Sequence, residues 1–172
     1  MTNIQNYFIS ISKNIVEEVL ILLERFNFKV ELAYVGRPND FLSELNNSDA
    51  IYIILSGHGN KDEFLMPVLA EDVYEENEPK HINGMVLREK LTATHKIIIS
   101  TACQTGSQDL AMPFLLKDNI YIAPTDSVEG SSSLFFVIRL LYENLVLNKT
   151  LVVAFNFAKE TDHETRLFRL FK

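Results

Sequence analysis

Two apolar runs stop abruptly at small residues, 50–59 (AIYIILSGHG) and 96–106 (KIIISTACQTG). Each is a run of aliphatic, mostly β-branched side chains that stops at small residues, which is the pattern of a strand buried on both faces of a parallel sheet. Three further runs read as strands: residues 7–12 (YFISIS), 28–35 (FKVELAYV, closed by the Gly36-Arg37-Pro38 turn) and 119–124 (NIYIAP). Residues 166–171 add a short edge strand. Helical spacing appears at Val16, Val19, Leu20 and Leu23, with Glu17, Glu18 and Glu24 on the other face, predicting an amphipathic helix over 13–27. Asn39 or Asp40 is placed to cap a short helix ending at Leu45. Asn83-Gly84 marks a turn before a short helix over 85–91, and another helical stretch follows Cys103. Residues 134–148 are apolar on nearly every face and predict a largely buried helix. The segment 150–159 has β-branched residues that favour a strand, but Thr150 suits a helix cap, and a helix is preferred.

Strands alternating with helices in this order predict an α/β fold: a three-layer α/β/α sandwich around a mostly parallel sheet. The right-handed crossover rule and a doubly wound pattern give the flavodoxin-like strand order 2-1-3-4-5, which makes the strands of 50–59 and 96–106 neighbours. With 172 residues, 47% of them apolar, the chain suits one domain over 1–172.

The net charge of −7 argues against a nucleic-acid partner, which would need a basic face, and favours a basic or neutral polypeptide. The amino terminus lacks a basic region followed by an apolar core and a cleavage site. The tract 134–147 is interrupted by Arg139, Glu143 and Asn144, so no membrane span is expected and a cytoplasmic location is. Between the two apolar runs, Glu71, Asp72, Glu75, Glu76 and Glu78 crowd a segment without apolar periodicity, which reads as an exposed, solvated loop.

Chemistry in parallel sheets sits beyond the carboxyl ends of the strands, and His58 and Cys103 occupy two such ends. Neighbouring strands lie ~4.8 Å apart, so the imidazole and thiol would share one edge. The single cysteine excludes an internal disulfide and a CxxC site, leaving a packed thiol or a nucleophile. Taken alone, each residue is ordinarily structural, a free Cys behaving as a small hydrophobe.

Together, the strand ending in SGHG and the strand ending in TACQTG resemble the caspase-like cysteine peptidase superfamily, and ACQTG is most similar to its bacterial CHAT domains. His58 precedes Cys103 by 45 residues, close to the separation of about 50 in caspases. The later segments APTD, YENL and NKTLVVAFNFAK also look CHAT-like, so the resemblance spans 50–159. It implies a caspase-like fold and a cysteine endopeptidase in which a His/Cys dyad suffices without a third orienting group. A neighbouring repeat domain or an activating protein partner is also implied, and 172 residues leave no room for such a domain. Such chemistry is consistent with the residues. A thiol attacks a peptide carbonyl as thiolate and needs a base, His58, which later protonates the leaving amine. Imidazole ordinarily titrates near ~6.5, which suits both tasks. The N–H groups of Gly59 and Cys103 could bind the oxyanion, and no metal or other cofactor is required.

The residue before the scissile bond would sit between the Cys103 strand and the loop 125–130. Asp126 and Glu129 there would attract Arg or Lys, with Thr101 as a neutral wall. Asp126 could instead cap the following helix. Ser56, Ser100 and Ser107 read as pocket lining, since none lies in a GxSxG elbow. A catalytically idle signalling or binding scaffold is the competing function. A flavodoxin-like ligand-binding domain lacks support, because no glycine-rich phosphate loop follows the first strand.

Overall fold

The structure, a computed structural model, describes the backbone of residues 5–10 and the whole of residues 23–172. In chain order the first elements are β1 (Gln5–Ser10), β2 (Lys29–Tyr34), α1 (Pro38–Asn47), β3 (Tyr52–Ser56), β4 (His58–Gly59), β5 (Glu63–Leu65) and β6 (Ile82–Asn83). They are followed by α2 (Gly84–Lys90), β7 (Ile97–Ser100), α3 (Gln108–Leu115), β8 (Ile120–Pro124), α4 (Gly130–Leu141), α5 (Leu151–Lys159) and β9 (Phe168–Phe171). The helix expected over 13–27 lies outside the described residues except for its last turn, residues 23–25. The first strand begins two residues earlier than its sequence pattern suggested.

The main sheet runs β2-β1-β3-β7-β8-β9, parallel throughout except for β9, which joins the edge antiparallel to β8. This is the order expected from the crossover rule, with the expected edge strand added. Register keeps the strand ends level: Ser10 is opposite Ser56, and Leu55 is opposite Ser100. Alternation along the strands sorts side chains to two cores. Ile53, Leu55, Ile98 and Tyr121 meet α1, α2 and α3, while Tyr52, Ile54, Ile99 and Ile122 meet α4 and α5. On the second face Phe136 stacks on Phe168 at 3.8 Å between centroids and meets Phe155 edge-on at 5.9 Å. Each fully buried side chain of this size is worth about 1.5–3 kcal/mol of apolar transfer, so Phe136, with Val137, Leu140 and Leu141, holds α4 on this face.

Several local expectations are corrected. Neither Asn39 nor Asp40 caps α1; its cap position is Arg37, with Pro38 entering the first turn. The open N-terminus is met from afar by Glu78, whose Oε1 accepts from the Asn39 N–H at 2.8 Å while Oε2 accepts from the Glu75 N–H at 2.9 Å. Asp40 instead takes two hydrogen bonds from Arg37, which hold its carboxyl below the usual carboxylate range. The acidic segment is therefore not uniformly solvated, since Glu78 is buried and Glu75 pairs with Arg37. A carboxylate acting as a helix cap from 39 residues away leaves no local periodicity to read.

The buried helix expected over 134–148 begins at Gly130 and passes into a π-helical turn, Tyr142–Val146. Its Glu143 carboxylate is buried between Lys149 Nζ at 2.5 Å and Arg139 Nε at 2.6 Å. The hydrogen bond from Lys149, helped by Arg139, holds that carboxyl below its usual range. Asn144 next to it accepts from the Tyr52 hydroxyl and donates to the Lys149 carbonyl. The wider turn thus points two polar side chains inward, each with its partners. Among the described residues, no helix is long and apolar enough to cross a membrane.

Candidate active site

Residues 50–59 do not form one strand. The chain leaves the main sheet at Ser56, bends at Gly57 and re-enters as β4, which pairs antiparallel with β5 so that His58 opposes Leu65 and Gly59 opposes Phe64. Asn60 closes this hairpin: its side-chain oxygen accepts from the N–H groups of Asp62 and Glu63 at 2.8 and 3.0 Å, and its own N–H donates to the Glu63 carbonyl. His58 is therefore an exposed side chain on a braced hairpin rather than on a mobile loop.

The Cys103 turn begins where β7 ends. The Thr101 N–H still donates to Leu55 O at 2.9 Å, continuing the pairing with β3 for one residue. The chain then turns over 102–104, with Gln104 at a φ of 60°, in the left-handed region. Beneath it lies a buried hydroxyl cluster. Thr105 Oγ1 donates to the Ala102 carbonyl at 2.8 Å and lies 2.8 Å from Ser100 Oγ, which in turn accepts from the Ala102 N–H at 3.2 Å. The Tyr121 hydroxyl donates to the Thr105 carbonyl at 3.1 Å, and burial pushes that phenol well above its ordinary range. The Gly106 N–H donates to Pro124 O at 2.8 Å; a Cβ on Gly106 would come within 2.8 Å of the carbonyl oxygens of both Ala123 and Pro124. Glycine is needed there because the turn is seated directly on the end of β8.

Gly59 joins the two halves. A Cβ built on it would lie 2.5 Å from Thr105 Cγ2, 3.1 Å from Ala102 Cβ and 3.2 Å from Cys103 O. The backbone beside His58 thus rests on the turn that carries Cys103, and the strands leading to them, β3 and β7, are neighbours. The thiol is half-buried and free. On its other flank it meets the loop after β8, with Sγ 3.5 Å from the Val128 nitrogen, a donor, and 3.6 Å from the Val128 carbonyl oxygen.

The remaining candidate residues divide. Asp126 is exposed beside the turn: its carbonyl accepts from the Gln104 N–H at 3.2 Å, and its carboxylate accepts from the Ser127 N–H at 2.7 Å and from Gln104 Nε2 at 3.5 Å. It does not cap α4, whose cap position is Glu129. Glu129 is exposed, and its N–H donates to Glu164. Thr101 is half-buried with its hydroxyl 3.4 Å from Leu55 O, on the β3 side of the turn. Ser100 and Ser107 are not lining: Ser100 is fully buried in the hydroxyl cluster, and Ser107 caps α3 by accepting from the Leu110 N–H. Sequence reasoning passed over Thr105, Tyr121 and Val128. The density of small and hydroxyl residues in STACQTG was the one signal for Thr105; nothing local marks the other two. Among the described residues, no three His, Cys, Asp or Glu side chains gather as a metal site requires.

No family model matches the sequence, and no curated protein matches it. Solved structures do match. A chain of the Saccharomyces cerevisiae separase–securin complex superposes with a TM-score of 0.63 at 13% identity, over 99% of this chain. The present chain spans 12% of that polypeptide's length. A second match, drICE, has a TM-score of 0.49 at 14% identity over 99% of this chain and 89% of the other. The separase match shows that the chain has a caspase-like fold.

Proposed function

We propose that the chain is a cysteine endopeptidase of the CHAT-like kind, with Cys103 as nucleophile and His58 as general base and acid. The observation that carries this reading is the seating of Gly59 on the Cys103 turn, which puts the His58 hairpin and the thiol at one edge of a caspase-like sheet. His58 takes the thiol proton, the thiolate attacks the peptide carbonyl, and the backbone N–H groups of Gly59 and Cys103 receive the oxyanion. Collapse to a thioester expels the amine, which leaves with the proton from His58. Water then hydrolyses the thioester, giving up a proton to the same imidazole and restoring the thiol. Neither metal nor organic cofactor takes part. The substrate is a polypeptide met in the cytoplasm, and an activating or repeat-domain protein partner fits this kind of domain.

A second reading, an idle scaffold, draws on one contact: Val128 already occupies both hydrogen-bonding directions of the thiol. For an enzyme, the same contact makes the loop over 125–130 the segment that must yield when substrate or partner binds.

Specificity tests the reading further. Asp126 and Glu129 are exposed carboxylates on the loop that touches Cys103, an arrangement that favours Arg or Lys before the scissile bond, whereas Thr101 turns its hydroxyl toward Leu55 O on the β3 side. A positional peptide library should show that preference, and Asp126→Ala should lower kcat/KM for Arg peptides about tenfold while sparing neutral ones. A preference for acidic or large apolar residues that survives Asp126→Ala would exclude it.

A further inference from the structure

A concavity of about 350 Å³ opens beside the His58 hairpin, lined by Asp62, Asn83, Gly84, Met85, Arg88 and Asp109. Its size lies at the lower end of the ~300–1,000 Å³ typical of ligand pockets. Its walls are continuations of the two catalytic segments. Asp62 sits in the turn of the hairpin that carries His58, and Asp109 lies in the first turn of α3, the helix that follows the Cys103 turn. From His58 to Asn60, where that turn begins, is roughly 7 Å of extended chain.

The floor is built rather than incidental. A Cβ on Gly84 would lie 2.5 Å from the Asp109 carbonyl oxygen, so the start of α2 is pressed against the first turn of α3 with no room for a larger residue. Asn83 caps α2 through its side-chain oxygen, accepting from the N–H groups of Met85 and Val86 at 3.1 and 2.9 Å. That fixes the backbone of Met85, whose side chain stands 77% exposed. Among the described residues, Asp62, Arg88 and Asp109 form no ion pair. Three charged groups without an ion-pair partner and an exposed thioether therefore face one concavity.

We propose that this concavity is a peptide subsite on the leaving-group side of the scissile bond, and that it selects a lysine or arginine side chain. The aliphatic stem would lie along Met85 and the cationic head between Asp62 and Asp109. Arg88, three residues after Met85 on the same helix face, supplies a donor for a peptide carbonyl. The side follows from the catalytic reading and one observation. In that reading the departing amine takes its proton from His58, and the pocket adjoins the His58 hairpin. The acyl side, by contrast, meets Val128 on the opposite flank of Cys103. The two flanks also belong to opposite faces of the sheet, since α2 and α3 pack on one core while the loop at Val128 leads into α4 on the other. A chain crossing the sheet edge over the thiol therefore reaches both.

The side assignment rests on the catalytic reading, but occupancy of the pocket can be measured without turnover. Short peptides with a free amino terminus, carrying lysine or norleucine at one position in an alanine background and a dye at the carboxyl end, would be titrated against the intact protein by fluorescence anisotropy. The lysine peptide should bind about tenfold tighter at one of the first positions. That advantage should vanish in Asp62→Asn/Asp109→Asn and grow in Arg88→Gln. Equal affinity for the two peptides, or an advantage untouched by the double substitution, would overturn the proposal. If lysine binding follows the carboxylates while no peptide is cleaved by way of Cys103, the pocket's selection of a basic side chain stands, and the catalytic reading falls together with the side assignment.

Discussion

Cys103→Ala should reduce peptide cleavage to the thiol-free background, at least ~1,000-fold below the native rate, because the step that forms the thioester has no other nucleophile. Tm should scarcely follow. The thiol is only half-buried, and its contacts to the backbone of Val128 at 3.5 and 3.6 Å are the weak hydrogen bonds that a thiol makes. Losing one sulfur there costs about 1 kcal/mol or less, which moves Tm by about 2–4 °C in a domain of this size. Separation of turnover from melting is the signature of a nucleophile. If Cys103 were packing, the two would fall together and the native protein would show no thiol-dependent cleavage.

Gly59→Ala should be damaging in a different way. The new methyl would lie 2.5 Å from Thr105 Cγ2, and Thr105 cannot swing aside because its hydroxyl is tied to Ala102 O and Ser100 Oγ. The hairpin must lift off the Cys103 turn, at a cost of about 1–3 kcal/mol of overpacking strain. It would carry His58 and the Gly59 N–H with it, and a misplacement near 1 Å is worth about a hundredfold in rate. Thr105→Ser removes the obstructing methyl and keeps the hydroxyl, so it should restore part of both losses in the double variant while the single serine variant stays near native. Thermal melts and kcat/KM on all four proteins form the test. Additive losses in the double variant would show that Gly59 is not seated as described.

The contrast between His58 and Glu78 shows what a sequence of this kind reveals. Strands β3 and β7 were legible because burial on both faces leaves an unbroken aliphatic run, and their adjacency followed from the handedness of crossovers. His58 and Cys103 stood out because each interrupts such a run among small residues. The break at Gly57 was not legible, since a bend followed by a two-residue strand leaves the apolar pattern unchanged. Glu78 was read as solvated because the partners it serves, the N–H groups of Asn39 and Glu75, include one 39 residues away in the chain. Val128 was invisible for a related reason: its role is played by backbone atoms, which any residue would supply. The fold class was therefore written in local patterns, while the support around the thiol depends on contacts that only the folded chain brings together.

The most direct test of the dyad is the rate at which iodoacetamide alkylates Cys103 near pH 7 in the native protein and in His58→Ala. The thiolate is the reacting species, so a base poised beside the thiol raises the rate above that of an isolated cysteine, and its removal should lower alkylation about tenfold or more. Equal rates in the two proteins would mean that His58 does not act on Cys103, and would contradict the catalytic pairing.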